Sequence, residues 1–142
     1  MSSNTKLLSF AIMMAIGGTA FAANTNSPAV GRALGLIKNN SAAARVSAND
    51  GFIARDVMVD ADGTEHVRFD RNYAGLPVIG GDLVVHSRGG QFKSASLTQG
   101  AALNLRTRPS LKADDAIVSA GAEFGPDFIG MPNANLVVFA RD

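Results

Sequence analysis

Thr64-Glu65-His66-Val67-Arg68-Phe69-Asp70-Arg71-Asn72-Tyr73 is the stretch on which the fold turns. Val67, Phe69 and Tyr73 fall on one face of an extended chain, and His66, Arg68, Asp70 and Asn72 on the other. Side chains alternate across a strand, so this pattern predicts a half-buried antiparallel strand. Upstream, Phe52 to Asp60 carries Val57 and Val59 on one face, with Arg55 an exception. Asp60-Ala61-Asp62-Gly63-Thr64 then supplies the Asp-Gly pair favoured in tight hairpins, where positive φ is required. Downstream, Ala74-Gly75-Leu76-Pro77-Val78 breaks the run, because Pro77 cannot donate to a ladder and Gly75 permits a bend. Ile79-Gly80-Gly81 leads into a strand over Asp82 to Ser87, the adjacent glycines suggesting a bulge or a close backbone approach. Arg88-Gly89-Gly90 turns the chain into Gln91 to Thr98, where Lys93, Ala95 and Leu97 alternate with Phe92, Ser94 and Ser96. The result is a meander of roughly three or four strands.

The flanks are helical. Ser27 is an N-cap candidate, Pro28 suits the first helical position, and Ala29, Val30, Ala33, Leu34 and Ile37 follow at helical spacing, which predicts a helix from Pro28 to Lys38. Asn39-Asn40 ends it, and Ser41 to Asp50 reads as a small, polar linker. After Arg106-Thr107-Arg108-Pro109 a second unit opens. Ala113, Ala116, Ile117, Ala120 and Phe124 fall at helical spacing, Asp114 and Asp115 suit the first turn, and Gly125 stands where the helix would stop. Asn135 to Arg141 reads as a strand centred on Leu136 to Phe139. So apolar a strand at the terminus would be left unpaired, which implies an incomplete second unit. The class is α+β.

At the N-terminus, Lys6 precedes the apolar run Leu7 to Ile16, and small residues stand at Ala20 and Ala22. These are the parts of a secretory signal peptide over residues 1–22, with cleavage between Ala22 and Ala23. The run is too short for the roughly 20 apolar residues of a membrane span. The expected product is secreted or periplasmic, with no membrane association after removal of the signal.

The 142 residues contain 13 Lys and Arg against 12 Asp and Glu, and no Cys. Balanced charge argues against a nucleic-acid partner, whose phosphates call for clustered cations. Without Cys there is no disulfide scaffold, thiolate metal site or thiol nucleophile. Export without Cys is common among bacterial secreted proteins. His66 and His86 lie in neighbouring strands and could meet, but zinc usually takes three or four protein ligands and no third is evident, so ordinary cross-strand partners are expected and no metal site. Asp60-x-Asp62-Gly63 opens like a calcium loop but lacks the later ligands, so a hairpin turn is the simpler reading. No His-Glu-x-x-His, Gly-x-Ser-x-Gly or phosphate loop occurs, so no enzyme is expected in these residues.

His66-Val67-Arg68-Phe69-Asp70-Arg71-Asn72-Tyr73-Ala74-Gly75-Leu76-Pro77-Val78-Ile79-Gly80-Gly81-Asp82-Leu83-Val84-Val85-His86 resembles the fungalysin/thermolysin propeptide (FTP) motif. That pattern runs from an aromatic strand through Tyr-x-Gly-Leu/Ile-Pro-Val to Gly-Gly-Asp/Glu-Leu-Val-Val-His, and the wider similarity covers Asp50 to Thr98. Arg108-Pro109-Ser110-Leu111-Lys112-Ala113-Asp114-Asp115-Ala116 resembles the start of a PepSY domain, with Lys112 where a Ser or Thr cap is frequent. The resemblance implies a helix and linker over 23–49, an FTP-like domain over 50–105 and a truncated PepSY-like unit over 106–142. It further implies the pro-region of a thermolysin-like zinc metallopeptidase precursor, acting as intramolecular chaperone and inhibitor. The implied partner is the cognate catalytic domain, in cis or in trans. Zinc and calcium would belong to that domain, and no cofactor is expected here. The alternative is a free-standing secreted module that binds a protease or another partner in trans. Candidate contact residues are Tyr73, Gly75, Leu76, Pro77, Gly80 and Gly81; they could equally shape the sheet, with Tyr73 and Leu76 packed in its core.

Overall fold

Strand β2 (Thr64–Tyr73) forms the centre of the structure, a computed structural model that describes residues 26–124 and 132–140. The signal segment 1–22, the Ala22–Ala23 cleavage site and the helix stop at Gly125 lie outside the described residues. On one side β2 pairs antiparallel with β1 (Asp50–Val59). On the other it pairs antiparallel with β4 (Leu83–Arg88) along Thr64 to Phe69, and with β3 (Leu76–Ile79) at Asn72 and Tyr73. β5 (Gln91–Leu97) adds antiparallel to β4, and β6 (Val138–Phe139) adds parallel to β3. The fold is therefore α+β: two helices and a curled, mixed but mostly antiparallel sheet.

Helix α1 (Pro28–Asn39) covers the inner face of this sheet. The Ser27 hydroxyl accepts from the Ala29 amide at 3.3 Å, and the Asn40 side chain returns to the Leu36 carbonyl at 2.9 Å, so both ends are capped. Ala29, Val30, Ala33 and Ile37 lie against Val67, Phe69, Leu83 and Val85, all buried. Arg32 of α1 reaches Glu65 of β2 as a forked ion pair, adding a polar tie beside the apolar one.

Two departures from simple alternation correct the reading of the strands. In β1 the register slips between Ala54 and Asp56, so Arg55 is an extra residue and Phe52, Ala54 and Val57 all pack inward. Val59 does not share the burial of Val57; it is 58% exposed beside the hairpin. In β5 the register slips opposite His86 and Ser87, leaving Lys93 unpaired, and Phe92 joins Leu97 against the core instead of opposing it. Both bulges sit on edge strands and carry a cation, a combination that discourages pairing with further strands.

The expected break at Ala74-Gly75 is instead a two-residue turn with positive φ at both residues, 50° and 83°, closing a β2–β3 hairpin through Tyr73 and Leu76. The strand expected at 135–141 shortens to β6, and it is paired rather than open: Val138 aligns with Val78, and the Ala140 amide donates to the Ile79 carbonyl at 2.9 Å. Helix α2 (Ala113–Phe124) forms where periodicity placed it, yet over residues 113–123 Ala116 and Ile117 are half-buried, the rest are exposed, and Val118 is 72% exposed. Among the described residues no helix is long and apolar enough to cross a membrane.

Candidate functional site

The FTP-like bend is organised by Arg71, a residue the sequence reading passed over. It lies between Phe69 and Tyr73 on the inward face of β2, so its guanidinium is buried, with the side chain fully shielded from solvent. A buried charge is tolerated only when paired and hydrogen-bonded. Nη1 donates to Asp50 Oδ2 and to the Arg45 carbonyl, both at 2.8 Å; Nη2 donates to the Ala44 carbonyl at 2.8 Å, and Nε to the Gly81 carbonyl at 3.1 Å. Its carbon Cζ lies 5.2 Å from the Phe52 ring centroid. Burial pulls the guanidinium pKa down and Asp50 opposes that; Arg remains charged because its ordinary value is so high.

The acceptors are supplied by the supposed linker, which is not loose. The Val46 amide bonds to the Ser41 carbonyl at 2.8 Å and the Arg45 amide to the Ala42 carbonyl at 3.2 Å, with Arg45 at φ 48°. That is a Schellman ending of a short helical turn, which leaves carbonyls without intrahelical partners. Arg71 takes two of them. Ala44 is fully buried in the same place, and the Ser47 amide donates to Asp50 Oδ2 at 2.9 Å. Among the described residues Asp50 Oδ1 and Ser47 Oγ find no partner, so the cluster is strict about position and incompletely satisfied.

The six candidate contact residues divide. Tyr73 and Gly81 are buried, Leu76 is half-buried, and Gly75, Pro77 and Gly80 are exposed. Tyr73, Val78 and Val138 form a second small core against which Leu76, Leu103 and Ala140 pack. The Tyr73 hydroxyl donates to the Leu105 carbonyl and accepts from its amide, both at 3.3 Å, anchoring the segment that follows β5. The glycines mark close approach. A Cβ at Gly81 would stand 2.5 Å from Val78 Cγ1, and one at Gly80, where φ is 77°, would stand 2.9 Å from the Ala140 carbonyl oxygen. Beside Pro77 and Gly80 the outer positions of β3 and β6 expose Ile79 and Phe139, 51% and 65%. Leu76, Leu105, Arg108 and Leu136 line a shallow groove next to them.

On the opposite face of the sheet His66 and His86 are direct cross-strand partners, with Nδ1 atoms 2.5 Å apart. His66 Nε2 lies 3.0 Å from Asp60 Oδ2, and His86 Nε2 lies 2.9 Å from Ser96 Oγ. Burial and the neighbouring His66 lower the His86 pKa below its ordinary value. Around them run exposed ion pairs, Arg68–Asp82 at 3.2 Å and Arg55–Asp70 at 3.1 Å. The hairpin reading of Asp60 to Gly63 holds: Gly63 has φ 81°, its amide bonds to the Asp60 carbonyl at 2.9 Å, and Asp62 accepts from the Thr64 amide at 2.9 Å. Among the described residues no three or more His, Cys, Asp or Glu come close enough together to hold a metal ion.

Comparison with known proteins bears on the same segment of sequence. The chain is 42% identical over 84 residues to a transglutaminase-activating metalloprotease of Streptomyces mobaraensis, covering 55% of this chain and 11% of that protein. It thus spans a small part of its relative's length. No solved structure matches. The PepSY resemblance at 108–116 falls outside the family match, which ends at residue 98. Residues 50–98, the segment folded into β1 to β5, carry the Fungalysin/Thermolysin Propeptide Motif.

Proposed function

We propose that the chain is a propeptide region of a thermolysin-like zinc metallopeptidase precursor, exported by residues 1–22, that chaperones and restrains its catalytic domain. The observation that carries this is the coincidence of the propeptide motif with the whole run β1 to β5 in a chain related to a metalloprotease. A preformed sheet gives slowly folding parts of a partner a surface to dock on, and any module that binds the native partner stabilises it by mass action. The docking surface is the bend, with Gly75, Pro77 and Gly80 on its outside, continued by the exposed Ile79 and Phe139. Tyr73, Leu76 and Gly81 hold that surface in shape from within. Zinc and calcium, in this reading, belong to the catalytic domain.

The test is refolding. The urea-unfolded catalytic domain of the Streptomyces metalloprotease is diluted with and without this chain, and peptidase activity is followed. The account predicts a higher yield of folded protease with the chain present and slower hydrolysis while it stays bound. Equal yields and equal rates would refute it.

A further inference from the structure

The outer face of the sheet holds a cluster for which docking has no use. His66 on β2 and His86 on β4 face each other with Nδ1 atoms 2.5 Å apart. At that distance two bare lone pairs repel, so either one proton, as an N–H···N hydrogen bond, or one metal ion lies between the nitrogens. Each far nitrogen is occupied. Asp60 Oδ2, 3.0 Å from His66 Nε2, can only accept as a carboxylate, so in the neutral ring it favours the proton of His66 on Nε2 and leaves Nδ1 free to bind a cation. Ser96 Oγ, 2.9 Å from His86 Nε2, can accept a hydrogen bond from that nitrogen, which leaves the second Nδ1 free to bind a cation as well. Two lone pairs then converge on one point, backed by a carboxylate and a hydroxyl. Metal-bound histidines are held in this way, their second ring nitrogen fixed by an outer partner.

We propose that His66 and His86 form a two-imidazole site for one borderline divalent transition cation of the zinc, nickel or copper class, with Asp60 and Ser96 orienting the rings. Nitrogen donors exclude calcium and magnesium, which take oxygen ligands. No third His, Cys, Asp or Glu joins the pair among the described residues, so water completes the coordination and the ion exchanges readily. Zinc–nitrogen bonds of about 2.05 Å at a tetrahedral angle place the nitrogens about 3.3 Å apart. The rings therefore part by less than about 1 Å, within reach of small torsion changes in side chains open to solvent. The ion replaces the shared proton and straps β2 to β4, the central pairing of the propeptide motif. This site stands or falls independently of the docking reading.

Calorimetric titration of the tag-free full chain with zinc chloride and nickel chloride tests it. One ion is expected per chain, with a thermal midpoint that rises with zinc and does not respond to magnesium. His66→Gln and His86→Gln should each weaken binding more than ten-fold, and Asp60→Asn by about ten-fold. Binding that survives in the double histidine variant, or no binding by the folded wild-type chain, overturns the proposal. A readout without variants is the long-range nitrogen spectrum of the wild-type imidazoles. Zinc should shift Nδ1 of both rings, and a shift at Nε2, or at neither nitrogen, contradicts the site.

Discussion

Residues 28–98 and the segments 113–124 and 135–140 both show clear apolar periodicity as sequence, yet they are not equally packed. In the first region the inward positions have something to meet: α1 covers Val67, Phe69, Leu83 and Val85, and even the inward charge of Arg71 has an acceptor at every nitrogen. In the second, α2 leaves Val118 and Ala120 in solvent, and β6 is held to the sheet through Val138 and the Ala140 amide. Periodicity announces that a segment has an apolar side; tertiary packing decides whether that side is covered. The two regions meet at the bend, where Tyr73 and Gly80 touch both.

The sharpest way to break the contrast is to strike the keystone of the first region. Arg71→Met leaves Asp50 buried and the carbonyls of Ala44, Arg45 and Gly81 orphaned, and should cost about 3–5 kcal/mol by urea unfolding. A loss under about 1 kcal/mol would mean that the cluster does not hold the sheet. Next, Gly80→Val puts a β-branched side chain at positive φ, close to the Ala140 carbonyl oxygen. The expected loss is about 1–3 kcal/mol, and an unchanged unfolding midpoint would sink the close-approach assignment. In the opposite direction, Ala74→Gly relieves an alanine at φ 50° and should raise stability by about 1 kcal/mol in thermal scans.

Smaller effects test the edges of the comparison. Val118→Ser on α2 should leave the unfolding midpoint within about 0.5 kcal/mol of wild type, whereas a larger loss would show the helix face to be covered. The tie between α1 and β2 is read by pH. The hydrogen bond from Arg32, with its charge, holds Glu65 below its ordinary carboxylate value, against a smaller opposing effect of burial. Its folded value is thus below its unfolded one, so this contribution is present above the ordinary range and fades as pH falls through the lowered value. Glu65→Gln should flatten that acid limb; an identical slope in the variant would remove Glu65 from the account.

Much of the first region was legible because it follows simple periods and local chemistry. Ser27 and Pro28 announced α1, Asp62-Gly63 announced a hairpin, and Val67 and Phe69 announced the inner face of β2. What escaped was set by contacts distant in sequence. Arg71 has the right parity to face inward, but a charge there makes sense only once the carbonyls of Ala44 and Arg45 are in place. The same contacts turn a polar linker into packed structure. Arg55 stood out as an exception but its bulge did not, and the bulge at Lys93 left no mark at all, because a bulge shifts the phase of alternation without a residue signature; Phe92 was therefore set opposite Leu97 instead of beside it. Of the candidate site, the glycines were readable as points of close approach. The partnering of β6 with β3 was not, since parallel pairing leaves no turn in the sequence to announce it.

The most direct measurement is amide hydrogen exchange of the full chain, alone and with the Streptomyces metalloprotease catalytic domain. Alone, the account predicts slow exchange along β2 and β4 and fast exchange throughout α2. With the protease present it predicts new protection at residues 76–80 and 136–140 and no change along β5. Protection of α2 in the free chain, or an unaltered β3–β6 edge in the presence of the protease, would contradict it.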